Sequence, residues 1–445
     1  MVMDCVAEYI QFQKASPTPY HVVATLESML QQAAFRELHW EDPSWELLSG
    51  QGYYIKHPDL KAIIPVVLGT SSPVETGFLI AAAHTDSPNL RLRFNPLQQD
   101  EVSQMRGLVQ VHGGIIARSW LDRPMELAGC LFFPSGSMEK NGLPHLAAQL
   151  VRTSHPVGVI PDLAIHLDRE KNRGTPCSLE NALHVMLGLA PQGSKDPWET
   201  LKTCFGMESD SREPRGFDLQ LAPYGDHVVC GMRGEYLTGP RHDDLAMVYA
   251  VAYGLSQSLS IRRAASSIAI FCDAEETGSL TSSGAESMFI RDVLRRIAIS
   301  HPSTLVSHYP AWCASLAKSF LVSADMAHAY HPAYPDRHDS QHRLQIGGGL
   351  VIKENANDRY ATSAYTSAVV QSLCEEQAIP VQGYVHRQDM GCGSTVGPTL
   401  AANLGCRVAD IGTAMWAMHS TGETMATQDL TYACRFFQHF FSNAA

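Results

Sequence analysis

The stretch Ser266-Ser-Ile-Ala-Ile-Phe-Cys-Asp-Ala-Glu275-Glu276-Thr-Gly-Ser-Leu280 begins as a short apolar strand and runs into two adjacent carboxylates and a glycine. Neighbouring glutamates at one strand end repel each other and need a cation or a proton to relieve them, so folding alone accounts for them poorly. Successive side chains diverge where a strand enters a loop, which lets one Glu ligate a metal while the other serves as general base. The plainer alternative is a solvated strand end that starts a turn. The rest of the chain decides between the two.

Two other segments share this design. Gly77-Phe-Leu-Ile-Ala-Ala-Ala83 is apolar throughout, as in a strand buried on both faces, and it delivers His84-Thr85-Asp86-Ser87-Pro88 at its C-terminal end. Open α/β sheets place ligands there. Asp86 stands two residues beyond His84, where it can accept the other ring N–H and fix the tautomer. Ser319-Phe-Leu-Val-Ser-Ala-Asp325-Met-Ala-His328 is again an apolar run ending on Asp, with His three residues later. In Gly239-Pro-Arg-His-Asp243-Asp244-Leu-Ala-Met a polar turn carrying carboxylates starts an apolar helix, a place where Asp is equally at home as an N-cap.

Taken together, His84, Asp243, Glu275, Glu276, Asp325 and His419 are polar groups at strand ends or tight turns. Imidazoles and carboxylates in this ratio suit a pair of divalent ions, zinc foremost, with one carboxylate shared and one left as base. The chain has no H-E-x-x-H, G-x-S-x-G, P-loop or G-x-G-x-x-G motif, which leaves single-zinc, Ser-hydrolase and nucleotide readings without support.

Around these motifs, residues 3–14 and 20–34 read as helices, the second opened by Thr18-Pro19, and Ala62–Leu68 reads as a buried strand. From about residue 90 to 236 the strand–helix rhythm gives way to polar alternation and Pro-rich, charged loops. The expected organisation is therefore a catalytic α/β part over 1–89, an inserted β-rich domain over 90–236 and a second catalytic part over 237–445. Helices are expected over 283–299, 361–376 and 430–441, a strand over 381–386, and at Met390–Gly397 a glycine-rich segment that is either a plain tight turn or one whose amides hold a substrate carbonyl or carboxylate. There is no internal repeat.

The 445 residues include 45% hydrophobic and 18% charged side chains, and no apolar run approaches the roughly 20 residues that span a bilayer. The N-terminus lacks a signal-peptide core, so the cytoplasm is the expected compartment. Eleven Cys without C-x-x-C spacing fit free thiols better than a disulfide framework or a zinc–cysteine site. A net charge of -12 disfavours nucleic acid and anionic membrane as partners, and a site for an acidic substrate must carry its own cations.

Six blocks in order carry a resemblance: Ala83-His-Thr-Asp-Ser-Pro88, Ala164-Ile-His166-Leu167, Arg241-His-Asp-Asp-Leu245, Glu275-Glu276-Thr-Gly-Ser279, Ser323-Ala-Asp-Met-Ala-His328 and Ala417-Met-His-Ser420. They resemble the M18 metallo-aminopeptidases, the aspartyl-aminopeptidase-like group, nearly from end to end. The resemblance implies an α/β/α phosphorylase/hydrolase-like di-zinc peptidase domain interrupted by a β-rich dimerisation domain. It implies two Zn2+ per subunit, with Mn2+ or Co2+ as substitutes. Position by position, Asp243 would bridge the ions, His84 and Asp325 would complete one site, and Glu276 and His419 the other. Glu275 would be the general base and Asp86 would orient His84.

The same resemblance places His328, Lys353 and Tyr360 around the first side chain of a peptide with a free N-terminus, an arrangement suited to Asp or Glu. A solvated surface cation is the plainer reading of Lys353. The resemblance also implies a homo-oligomer, at least a dimer, in which His166 reaches a partner's active site; a half-buried strand histidine is its plainer reading. The family commonly has Asn where this chain has Asp244 and Ala274. Competing expectations are a broad or Leu-type aminopeptidase, a related di-zinc deacylase or carboxypeptidase, and a non-catalytic scaffold.

Overall fold

Strands with apolar side chains on both faces are stable only where helices cover both sides of the sheet, and the central strands of this chain meet that condition. The computed structural model describes residues 2–174, 176–189, 197–207, 213–225, 227–304 and 309–442. Two units are each compact: one comprises Met1–Asp86, His227–Met418 and Glu423–Ala445, the other Ser87–Asp226 and His419–Gly422.

In the first unit, β1 (Ile63–Val67), β2 (Phe78–His84), β3 (Ser266–Cys272), β4 (Phe320–Ala324) and β5 (Arg407–Trp416) form the centre of a mixed sheet, in the spatial order β1-β3-β2-β4-β5. β2 runs parallel to both β3 and β4, and β4 parallel to β5, while β1 is antiparallel to β3. Alternation along each strand fills two separate cores. Ala81, Ala83, Ala269 and Phe271 pack with α1 (Val2–Ala15), α2 (His242–Ser258) and α3 (Thr427–Ser442), whereas Ile80, Ala82, Ile268 and Ile270 pack with the helices Met288–Ser300 and Val396–Leu404. This is an α/β/α sandwich, the architecture that the resemblance implied, with the apolar runs buried on both faces.

Local differences have local causes. The helix expected from Ser283 begins at Met288, because Ser287 caps it by accepting from the Phe289 amide at 3.1 Å, and Ser279–Ser287 is spent in turns. Strands Val228–Cys230 and Tyr236–Gly239 pair antiparallel with each other, and the latter pairs with Glu423–Ala426, so this stretch belongs to the first unit's sheet. Among the described residues, no helix is long and apolar enough to cross a membrane.

β5 approaches the loop after β4 so closely that a Cβ on Gly412 would stand 1.7 Å from the Asp325 carbonyl oxygen. Only a glycine fits there. Gly412→Ala is expected to cost about 3 kcal/mol through overpacking, read as a lowered urea midpoint. An unchanged midpoint would contradict the close approach.

The second unit is a seven-stranded antiparallel sheet around its own core of Leu90, Val109, Leu127, Leu131, Leu219 and Leu221. Gly216–Pro223 pairs with both Asn89–Gln99 and Pro124–Met138, which closes the sheet on itself.

Candidate metal centre

The C-terminal ends of β2, β3 and β4 lie side by side, so the polar residues that follow these strands converge. His84 closes β2 and is buried. Its Nδ1 stands 3.0 Å from the Asp86 carbonyl oxygen and 3.5 Å from the Asp86 carboxylate, while Nε2 faces Asp243 at 3.4 Å and Asp325 at 3.9 Å. An Nδ1–H donated to Asp86 leaves Nε2 with its lone pair aimed at the carboxylates, the tautomer a metal ligand needs. Asp86 thus meets the ring most closely through its backbone, and its carboxylate accepts from the Glu275 amide at 3.0 Å.

Asp243 and Asp244 sit at a kink at the start of α2. Their backbone is non-helical, and the Arg241 side chain that precedes them makes no capping hydrogen bond. The Asp243 amide donates to Glu423 Oε2 at 3.1 Å, and Asp244 Oδ2 accepts from the His84 amide at 3.1 Å. After β3, Ala274 takes a left-handed φ of 63° and throws Glu275–Thr277 into a single 3-10 turn, which places both glutamates beside His84.

His84, Asp243, Asp244 and Asp325 each offer one ligand atom within 4.8 Å of the others, and so do His84, Glu275 and Glu276. Asp244 Oδ1 is buried with no hydrogen-bond partner among the described residues. Burial raises the Glu275 carboxyl against the pull of His84, and Asp325, Glu276 and Asp243 add repulsion, so it is pushed up to about 8. Burial likewise holds Asp244 well above the usual carboxylate range, with Asp325 and Asp243 adding to it. The His84 ring rises in spite of burial, because Asp244, Asp243 and Asp86 surround it. All these shifts draw protons in to neutralise crowded negative charge, and a divalent cation neutralises the same charge while releasing those protons. The donor set, imidazole plus carboxylates, fits zinc.

Lys353 is not a surface cation: it is buried, its Nζ 3.1 Å from Asp325 Oδ2 and 5.5 Å from the centre of the Tyr360 ring. Tyr360, also buried, accepts the Cys392 thiol at 3.5 Å, and Cys392 lines a cavity of about 590 Å3 with Arg359, His386, Arg387, Glu354 and Asn355. The exposed His328 has its ring 6.2 Å from that of Tyr384. His166 and His419 belong to the second unit. His419 Nδ1 stands 2.9 Å from the Gly114 carbonyl oxygen there. His166 is exposed on a turn, not half-buried in a strand.

The family model described as "Aminopeptidase I zinc metalloprotease (M18)" matches residues 12–441. The chain belongs to the M18 family. M18 proteins are zinc metalloproteases acting as aminopeptidases, so the chain is a hydrolase of that type. The protein named "Probable M18 family aminopeptidase 2" of Pseudomonas paraeruginosa is 37% identical over 439 residues, covering 98% of this chain and 97% of that one. A chain in the cryo-EM structure of the Ape4 and Nbr1 complex superposes with a TM-score of 0.91 at 31% identity, over 99% of this chain and 86% of that one. The M18 aminopeptidase of Thermotoga maritima, 23% identical, shares the fold with a TM-score of 0.84 over 99% and 96% of the two chains.

Residues that the motifs alone did not assign are Asp244, which enters the ligand group, and Glu423, which anchors the Asp243 amide. Asp244 had a signal, a second carboxylate directly beside Asp243. Glu423 had none.

Proposed function

We propose that this M18 enzyme removes an N-terminal Asp or Glu from peptides, with Glu275 as general base. The observation that carries the base assignment is the position of Glu275, half-buried and within ligand-atom reach of His84 and Glu276. His84, Asp325 and Asp243 would hold one ion and Asp243, Glu276 and His419 a second, with Asp244 adding charge to the first. When bound, divalent zinc supplies Lewis acidity to the scissile carbonyl and makes water a better nucleophile, and Mn2+ or Co2+ can stand in for it. Glu275 takes the proton from the attacking water and returns it to the leaving amine. Asp86 holds the His84 tautomer and, through its carboxylate, the backbone of Glu275.

The acidic preference rests on Lys353, a buried ammonium with Tyr360 beside it, and on His328, whose ring lies 6.2 Å from that of Tyr384, itself 6.2 Å from the Tyr360 ring. A charge-assisted contact to a substrate carboxylate suits those groups. The expected result is that Asp- and Glu-peptides are cleaved with a kcat/KM about 10–100-fold above Leu-peptides. Faster cleavage of Leu-peptides would overturn the acidic reading in favour of a broad or Leu-type enzyme.

The inserted unit serves assembly in this reading. His166 is flanked by Leu163, Ile165 and Leu167, which are 52%, 45% and 74% exposed, an apolar turn that a second copy of the chain would cover. The working form is then at least a dimer, with His166 supporting the oxyanion in a partner's site. Eleven free cysteines agree with a reducing cytoplasm.

A further inference from the structure

Helix α1 presents Cys5, Tyr9 and Gln13 at four-residue intervals, hence on one face. Cys5 Sγ lies 3.3 Å from Cys434 Sγ on α3, residues separated by 429 positions. Among the described residues no other two cysteine sulfurs come within hydrogen-bond reach. The pair is asymmetric: Cys434 is buried, whereas Cys5 is partly accessible from solvent.

We propose that Cys5 and Cys434 form a reversible disulfide site that fastens α1 to α3. The sulfurs are already in van der Waals contact at 3.3 Å, so a bond of about 2.05 Å needs them to close by little more than about 1 Å. The co-reactant is a low-molecular-weight disulfide. Cys5 as thiolate attacks one of its sulfurs and expels one thiolate; Cys434 then attacks Cys5 Sγ and expels the second. Two protein S–H bonds are lost, one S–S bond forms, the reagent is reduced to two thiols, and the two protons leave with them. Roles follow from the surroundings. The Cys434 hydrogen bond holds the Cys5 thiol below its usual range despite burial, and burial holds Cys434 above it, so the accessible sulfur is the better nucleophile. A reducing cytoplasm keeps the pair as thiols until oxidant rises.

The bond would have a reach beyond its own helix. On the same face of α1, Tyr9 Oη is 2.8 Å from His242 Nδ1, and Gln13 Nε2 donates to Tyr9 Oη at 2.7 Å and to the Pro240 carbonyl at 3.0 Å. Pro240–His242 leads directly into Asp243. Pinning α1 therefore braces the loop that presents Asp243, a consequence that rests on Asp243 being a ligand.

The test treats the purified full chain with oxidised glutathione and maps tryptic peptides without reduction. The expected result is a Cys5–Cys434 linked peptide, loss of two of the eleven titratable thiols, and a rise of a few degrees in the unfolding midpoint that dithiothreitol reverses. Cys5→Ser and Cys434→Ser each abolish all three changes. Eleven thiols surviving oxidation, or a bond mapped elsewhere, overturns the site. Chelator-driven zinc loss should slow several-fold in the oxidised chain. A mapped bond with unchanged zinc loss overturns the brace alone, and full zinc retention by Asp243→Asn overturns Asp243 as ligand independently of the disulfide.

Discussion

Glu275→Gln is expected to keep its zinc and to lose about 10²–10⁴-fold in kcat, the contribution of a positioned general base. The amide matches the carboxylate in size, so the turn Glu275–Thr277 and the Glu275 amide bond to Asp86 are undisturbed, but it cannot take a proton from water. Its neighbour supplies the contrast: Glu276→Gln removes a proposed ligand and should lower zinc content as well as rate. Metal analysis and peptide hydrolysis on the same samples separate the two roles. Near-normal turnover in Glu275→Gln would assign the base elsewhere, with buried Asp244, whose carboxyl is likewise raised, the next candidate.

The second large effect is recovered activity from two dead variants. His166→Ala removes the proposed oxyanion donor and should cost about 10²–10³-fold on its own. Co-expressed with Glu275→Gln in equal amounts, it forms mixed oligomers. A site then works when its own chain has Glu275 and the neighbour has His166, which random pairing satisfies in about one quarter of sites. Activity near a quarter of wild type is the expected outcome. The exposed turn with Leu163, Ile165 and Leu167 gives the geometry: a histidine presented on an apolar knob can enter another subunit, whereas one satisfied inside a strand cannot. Fully active His166→Ala, or verified mixed oligomers that stay inactive, would return His166 to an ordinary surface residue.

Much of this site was legible because its strands are short, apolar on both faces and end abruptly in charge. Phe78–His84, Ser266–Cys272 and Phe320–Ala324 announce themselves in this way, and the residues just past them converge because adjacent parallel strands end at one edge. What could not be read depended on distant partners. Lys353 follows Leu350-Val-Ile on a short strand and has the profile of an edge cation; only the pairing of that strand with β5 brings it to Asp325. Asp243 and Asp244 look like caps locally, and the Glu423 and His84 contacts that hold them come from elsewhere in the chain. His166 alternates with apolar residues at the period of a strand, yet those side chains are exposed on a turn.

The strand order also has a consequence for synthesis on the ribosome. β2, an almost wholly buried strand and the carrier of His84, is flanked by β3 and β4, neither of which is its neighbour in sequence. Its second edge is covered only when Phe320–Ala324 emerges, roughly 240 residues after His84, or on the order of 10–50 s at ordinary elongation rates. For that interval the nascent chain carries an apolar strand with open edges, the kind of surface that pairs with a neighbouring polypeptide. The expectation is that yield of soluble protein depends on holdase chaperones and on slow, cool expression, and that a ribosome stalled before residue 320 holds an aggregation-prone chain with no competent zinc site.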